Sequence, residues 1–248
     1  KIKLKIKLIG MKIPVSKKVK WCAYGPVFEN KYGSYGFRFP AYQDIRATEQ
    51  WFLMNKAQNF GEFTKAMKMQ AVPLFNTIYA GKDGNIMLHS GGKVPKRNPK
   101  LDWKAPITAN TSEYKWTEIL DYERLPHVEN PECGYVYNAN NTPLQCTGDS
   151  CNWDEYFPGL QTFMYNRGER FGYLMESHEG KFSEQDLDRI KYDHMYHPNG
   201  AYEKSFEAMY SLDESKYPDI ADAIQKLKRW DKQGNAENMD AALTATRG

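Results

Sequence analysis

The spacing of the apolar residues changes along this chain, and that change restricts its fold more than any other feature. The opening KIKLKIKLI alternates lysine with isoleucine or leucine, which on a strand places every lysine on one face. We interpret it as a strand with one solvated face rather than a membrane-active basic peptide. The pattern predicts strands over 1–45, helices over 46–70, strands and long loops over 71–145, and mainly helices over 156–242. This succession predicts an α+β domain and not a regular βαβ series.

Local capping signals locate the helix starts. Asn59 followed by Glu62 is an N-x-x-E signature that restarts a helix within the first helical stretch, and Ser183 followed by Asp186 begins a later one. Residues 220–230 carry apolar side chains at helical spacing between a proline and a glycine, which predicts an amphipathic helix. Residues 74–79 and 86–89 flank a Lys-Asp-Gly turn and predict a hairpin.

Charge and hydropathy exclude two classes of partner. The 248 residues include 34 Lys plus Arg and 31 Asp plus Glu, a formal charge of +3. That excess is too small and too evenly spread to indicate nucleic-acid binding. The sequence has no apolar run of about eighteen residues, so it predicts no membrane span. Aromatic residues reach 14%, with seventeen tyrosines, which is typical of strand-rich structure or of an apolar pocket.

The four cysteines leave two interpretations open. Cys146 and Cys151 are close enough in sequence for a local disulfide, and Cys22 and Cys133 could then form a second bridge. The alternative is four reduced, buried thiols. No CxxC pair indicates a zinc site.

Two weaker motifs favour ordinary structural roles. His194 and His197 beside Asp193 could share a helix face as metal ligands, but they lack a placed third ligand, which favours packed or solvated histidines. Asn110 and Asn140 each begin a glycosylation triplet, a pattern that arises by chance in chains of this length.

A polar turn offers the first candidate chemistry. Residues 135–138 predict a short strand, which runs into the sequence NANNTP at 138–143. A carboxamide at a strand end can donate a hydrogen bond to an oxyanion. It can equally bond its own backbone in an Asx-turn, and the residues alone favour that second interpretation.

The order of several motifs resembles the β-chain of the penicillin acylase family, which includes the acyl-homoserine lactone acylases. The motifs are FNTIYAGKDGNI at 75–86, NPECGY at 130–135, NANNTP at 138–143, NRGERF at 166–171 and LKRWD at 227–231. The resemblance runs from near residue 15 to near residue 242. It implies an N-terminal-nucleophile hydrolase fold, a four-layer αββα sandwich with a helical C-terminal portion. Residues 1–248 would then be a partial β-chain.

The resemblance also implies an activity. Members of the family are precursors that cut themselves and free an N-terminal Ser whose own α-amino group acts as base. The expected reaction is hydrolysis of the amide bond of an N-acyl compound through an acyl-enzyme. Penicillin-like compounds, acyl-homoserine lactones and acylated peptides are the candidate substrates.

The expected partners and location follow from the same resemblance. The partners are the substrate, the α-chain and the remaining β-chain of the same precursor, and the location is periplasmic or secreted. Lys1 has no such nucleophile, so we expect the Ser to lie outside this chain and the chain alone to be inactive.

Four residues receive roles from the resemblance. Asn140 matches the oxyanion donor, which reverses the preference for an Asx-turn. Arg167 matches the arginine that positions the nucleophile, with Arg170 as the neighbouring alternative. Trp51 and Phe75 fall where the family lines its substrate cleft, although plain core packing is an equal alternative for each.

No cofactor is expected to be required, although the complete enzyme can hold a structural calcium ion. Asp149 or Asp154 could contribute one ligand, but no metal residue is predicted. Two rival functions stay open: a non-catalytic extracellular module that binds glycans through exposed aromatics, and a degenerate acylase kept for a structural role.

Overall fold

The computed structural model describes residues 2–8, 10–108 and 110–241, which fall into two compact units. Unit 1 contains Lys1–Phe75, Gly91–Leu125 and Phe157–Gly159, and unit 2 contains Asn76–Ser90, Pro126–Tyr156 and Leu160–Gly248. Lys1 and residue 242, on which two of the expectations bear, lie outside the described residues.

Two antiparallel sheets open unit 1. In the first, β1 (Ile2–Leu8) pairs with β2 (Met11–Lys17), and in the second β3 (Lys20–Cys22), β4 (Gly25–Asn30) and β5 (Gly33–Gly36) follow in order. The strand predicted from KIKLKIKLI is confirmed. Its apolar face, however, is not covered by the rest of the described chain, since Ile6 and its cross-strand partner Ile13 are 49% and 40% exposed. A two-stranded ribbon buries little on either face.

Unit 1 contains two helices, and the second begins at a side-chain cap. Helix α1 spans Ala47–Lys56 and α2 spans Phe60–Met67. The side chain of Asn59 accepts a hydrogen bond from the backbone N–H of Glu62 at 2.9 Å, and the Glu62 carboxylate accepts one from the Gln58 N–H. The predicted restart at Asn59 is confirmed, because this exchange satisfies donors that a helix N-terminus leaves unpaired.

A buried carboxamide ties α1 to the segment that follows α2. Gln50 is 1% exposed, and its Oε1 accepts from the backbone N–H groups of Ala71 at 2.6 Å and Val72 at 2.9 Å. Its Nε2 lies 3.7 Å from the sulfur of Met67. Gln50 therefore satisfies two buried backbone donors that have no strand or helix to pair with.

The predicted hairpin lies in unit 2 except for its first and last residues, and a strand that the sequence did not indicate adds to it. Strand β6 (Phe75–Ala80) is followed by β7 (Ile86–Gly91), and β8 (His127–Glu129) pairs antiparallel with β7. Leu88 and Val128 pack with buried Cys146 in the core beneath this sheet.

The strand predicted over residues 135–138 is wrong. The segment is extended but belongs to no strand. The Tyr137 N–H donates to the Cys146 carbonyl at 2.8 Å, but the Tyr135 carbonyl accepts from the side chain of Thr147 and not from a neighbouring backbone N–H.

Four helices complete unit 2. They are α3 (Asn166–Glu176), α4 (Glu184–Lys191), α5 (Glu203–Tyr210) and α6 (Ala221–Arg229). The capping box of Ser183 and Asp186 is present, and α6 confirms the amphipathic helix predicted near residues 220–230. Phe206 and Trp230 pack edge to face with ring centroids 5.4 Å apart and form the core between α5 and α6. Within the described part of the chain, no helix has the length and apolar character needed to cross a bilayer.

Replacing Gln50 by Ala should lower the free energy of unfolding by about 2–4 kcal/mol, because two buried N–H groups would lose their acceptor. Chemical denaturation measures the change. Glu49→Ala, at an exposed neighbouring position on α1, is the matched control and should shift stability by less than about 0.5 kcal/mol. Equal effects of the two substitutions would contradict the role assigned to Gln50.

Candidate active site

The turn that carries the candidate oxyanion donor is organised by a buried asparagine next to it. Asn141 is 2% exposed. Its Oδ1 accepts from the Ala139 N–H at 2.6 Å, and its Nδ2 donates to the carbonyls of Thr142 and Gln145. A buried carboxamide with both ends satisfied holds the surrounding backbone in one conformation.

The side chains of Asn138 and Asn141, and not that of Asn140, make the local bonds to the backbone that an Asx-turn would require. The N–H of Asn140 donates to the side chain of Asn138 at 3.1 Å, and its carbonyl accepts from Gln161 Nε2 at 3.1 Å. The φ angle of Asn140 is +63°, a left-handed conformation that asparagine tolerates better than most residues. The backbone of Asn140 is therefore held without bonds from its own side chain.

Arg167, in the first turn of α3, determines which way the Asn140 carboxamide faces. Its Nη2 donates to Asn140 Oδ1 at 2.8 Å. A guanidinium can only donate, so the carboxamide oxygen must face Arg167 and the NH₂ group must face away. No described group accepts a hydrogen bond from that NH₂ group. Because Asn140 is exposed, the site presents an oriented donor to whatever binds there.

Arg170, the alternative to Arg167, is committed elsewhere. Its Nε and Nη2 each donate to one carboxylate oxygen of Asp193 at 2.9 Å, and both side chains are mostly buried. Hydrogen bonding to Asp193 raises the pKa of the Arg170 guanidinium above its ordinary value. This bidentate pair holds α3 to the segment after α4.

Two glycines let α3 approach the turn, a feature that the sequence reasoning missed. A Cβ at Gly168 would lie 2.7 Å from the Cβ of Asn141, and one at Gly172 would lie 2.7 Å from the Tyr137 hydroxyl. The available signal was their spacing of four residues, which puts both on one face of a helix. Burial among these groups raises the pKa of the Tyr137 phenol.

Trp51 and Phe75 come together in unit 1. Their rings meet edge to face with centroids 5.9 Å apart, and the side chains are 50% and 53% exposed. They border an open groove of about 570 Å³. The other groove residues are Ala47, Thr48, Phe52, Asn55, Val72 and Pro73. Both side chains are therefore half-exposed in unit 1, and their role in lining a substrate cleft stays a prediction.

No group of three or more His, Cys, Asp or Glu residues among those described is placed to hold a metal ion. His197 instead packs edge-on against Tyr173, with ring centroids 5.2 Å apart, and His194 is exposed. Neither Asp149 nor Asp154 belongs to such a group among the described residues. The structural calcium ion stays a prediction.

The sequence of this chain is similar to that of proteins of known activity. A family model described as Penicillin amidase matches residues 1–246. The chain belongs to the penicillin amidase family. A stretch of 101 residues is 33% identical to Penicillin G acylase of Escherichia coli, and the match covers 41% of this chain and 12% of that protein.

The fold agrees with that membership. A thermostable Penicillin G acylase from Alcaligenes faecalis superposes with a TM-score of 0.66 at 20% identity, over 95% of this chain and 42% of that chain. The expected α+β class, as part of an N-terminal-nucleophile hydrolase sandwich, is confirmed. This penicillin amidase family chain thus spans less than half the length of these relatives.

The close packing of α3 on the turn can be tested at Gly168. Gly168→Ala should lower the free energy of unfolding by about 1–3 kcal/mol, because its Cβ would overlap that of Asn141. Calorimetry or denaturant titration measures the effect. Gly61→Ala on α2, where the added Cβ meets only ordinary contacts, should instead raise stability by about 0.4–1 kcal/mol. Stabilisation by both substitutions would show that α3 does not need the glycine.

Proposed function

We propose that the protein carrying this chain hydrolyses the amide bond of an N-acyl compound, with Asn140 as the donor to the oxyanion. The observation that carries the proposal is the Arg167–Asn140 hydrogen bond, which turns the Asn140 NH₂ group outward. Membership of the penicillin amidase family favours this reaction over the glycan-binding module.

The proposed chemistry requires a nucleophile supplied from outside these 248 residues, an N-terminal Ser freed by self-cleavage of a precursor. Its hydroxyl attacks the amide carbonyl, and its own α-amino group takes the proton. Asn140 Nδ2 donates to the oxygen as negative charge develops on it, where a preorganised hydrogen bond is strongest. The amine then leaves, and water releases the acid from the acyl-enzyme.

Arg167 serves in this proposal as a positioning residue. Its hydrogen bond removes the rotational freedom of the Asn140 carboxamide before substrate binds, so little reorganisation is left for the transition state. Its positive charge lies on the oxygen side of the carboxamide, which strengthens the polarity of the NH₂ group opposite.

The proposed substrate carries an apolar acyl chain, and the groove beside Trp51 and Phe75 supports this choice. Its wall is almost entirely apolar, and aromatic side chains give large contact areas to hydrocarbon. Penicillin-like compounds, acyl-homoserine lactones and acylated peptides all have such a chain. The α-chain and the remaining β-chain are the proposed protein partners, export to the periplasm or medium is the proposed location, and no cofactor is required.

Removing the donor should slow turnover without unfolding the protein. Asn140→Gly keeps the left-handed backbone free of strain, and Asn140→Asp keeps the acceptor for Arg167, but neither has the NH₂ group. We expect kcat to fall by about 10²–10³-fold in both, with KM little changed. Release of p-nitroaniline from an acyl-p-nitroanilide measures the rate.

The assay uses the protein with its nucleophile, and this chain alone, expected to give no turnover, is the blank. Asn199→Ala, at an exposed position in unit 2, is the matched control and should retain the parent rate. Near-normal rates in Asn140→Gly would remove Asn140 from the mechanism. No turnover by the unsubstituted protein would support the degenerate acylase instead.

The groove in unit 1 makes a separate prediction about acyl-chain preference. Trp51→Ala should lower kcat/KM for a long-chain acyl-p-nitroanilide by about 10–10²-fold and leave the acetyl compound almost unaffected, because an acetyl group has little apolar surface to bury against an aromatic ring. Leu53→Ala on the same helix, outside the groove, is the control. A uniform loss over all chain lengths would indicate that Trp51 supports the fold and not the substrate.

A further inference from the structure

Three cysteines of unit 2 lie between residues 133 and 151, and the structure separates one from the other two. Cys146 is fully buried, and its thiol donates to the Pro143 carbonyl at 3.3 Å. Burial raises the pKa of this thiol to about 12. A protonated, inaccessible thiol does not take part in disulfide exchange. The structure therefore disfavours the Cys146–Cys151 bridge that sequence spacing suggested.

Cys133 and Cys151 stand at the base of a loop whose two sides are bonded to each other. Thr147 Oγ1 donates to the Tyr135 carbonyl at 2.5 Å and lies 3.0 Å from the Cys133 sulfur. Next to it, Gly148 packs so closely on Cys133 that an added Cβ would lie 3.1 Å from the cysteine Cβ. The Cys151 N–H in turn donates to the Gly148 carbonyl at 2.9 Å.

Asn152 holds the returning side of this loop in place. Its Oδ1 accepts from the N–H groups of Cys146 at 2.6 Å and Thr147 at 3.1 Å. Its Nδ2 donates to the carbonyls of Thr147 and Gly148 at 3.3 and 3.2 Å. These four bonds keep the turn that bears Cys151 against Cys133.

Both cysteines are partly exposed, and Cys133 affects the pKa of Cys151. Hydrogen bonding to the Cys133 side chain is the largest cause that holds the pKa of the Cys151 thiol below its ordinary value, and hydrogen bonding to the Cys133 backbone is the next. Cys151 also borders an open depression of about 670 Å³ that can admit a small reagent.

We propose that Cys133 and Cys151 form a redox-active dithiol that a low-molecular-weight disulfide converts to an intramolecular bridge. The Cys151 thiolate attacks one sulfur of the reagent and expels the first thiol. Cys133 then loses its proton and attacks the Cys151 sulfur, which expels the second thiol. Two protein thiols are oxidised, and one external disulfide is reduced to two thiols.

The bridge would close a covalent ring around the turn that carries Asn140. That turn lies at the far end of the loop from the two cysteines. Closing a loop of this length restricts the unfolded chain and should raise the melting temperature by about 5–10 °C. An effect on hydrolysis would rest on the proposed function, but bridge formation and the melting shift do not.

The test titrates the reduced protein with oxidised glutathione and counts the remaining thiols by alkylation under denaturing conditions. Two of the four cysteines should become resistant to alkylation, with a mass lower by two hydrogen atoms. Cleavage before Asp149 separates Cys151 from Cys133 and Cys146. Fragmentation then shows which of those two remains alkylated, and we expect it to be Cys146.

Substitutions distinguish this pairing from its alternatives. Cys133→Ser should prevent the bridge and leave Cys151 as a stable mixed disulfide with glutathione, because the resolving thiol is gone. Cys146→Ala, the matched control, should still lose two thiols. A Cys146–Cys151 link, an intramolecular bridge that survives in Cys133→Ser, or four alkylated thiols at glutathione excess would each overturn the proposal. The peptide map of the unsubstituted protein decides the matter even if a variant fails to fold.

Discussion

The candidate site depends on the burial of one carboxamide, that of Asn141. At 2% exposure its oxygen and nitrogen must both find partners within the protein, and they do so in the backbone of its own turn. These bonds determine the path of the chain on either side. One consequence is that Asn140 adopts a positive φ and directs its side chain outward. The exposure of the proposed oxyanion donor thus follows from the satisfaction of its neighbour.

Helix α3 supplies the second part of the site, and its two arginines have different roles. Gly168 lets the helix contact Asn141, which brings Arg167 within 2.8 Å of the Asn140 oxygen. Arg170, one turn further, holds the helix to Asp193 through a bidentate pair. One arginine therefore fixes the position of the helix and the other acts at the turn. Neither is interchangeable with the other despite their separation by only three residues.

A buried carboxamide also organises unit 1, where it supports the apolar groove. The buried carboxamide of Gln50 caps two backbone N–H groups of the segment after α2, which secures one border of the apolar groove. The next residue on the helix, Trp51, is turned by about 100° and faces the groove instead. Consecutive positions of α1 thus direct a polar residue inward and an aromatic residue outward.

The sequence by itself determined the features that short segments encode: the helix starts at Asn59 and Ser183, the hairpin of β6 and β7, and the individual motifs that indicated the family. Only the tertiary structure decided which asparagine makes the local bonds, which arginine meets Asn140, and which cysteine of unit 2 is fully buried. The strand expected at residues 135–138 was wrong because a segment joins a sheet only through tertiary contacts, which the segment itself does not encode. Caps and turns are satisfied within the segment that encodes them, whereas Arg167 and Asn140 are 27 positions apart and meet only because a helix packs on a turn.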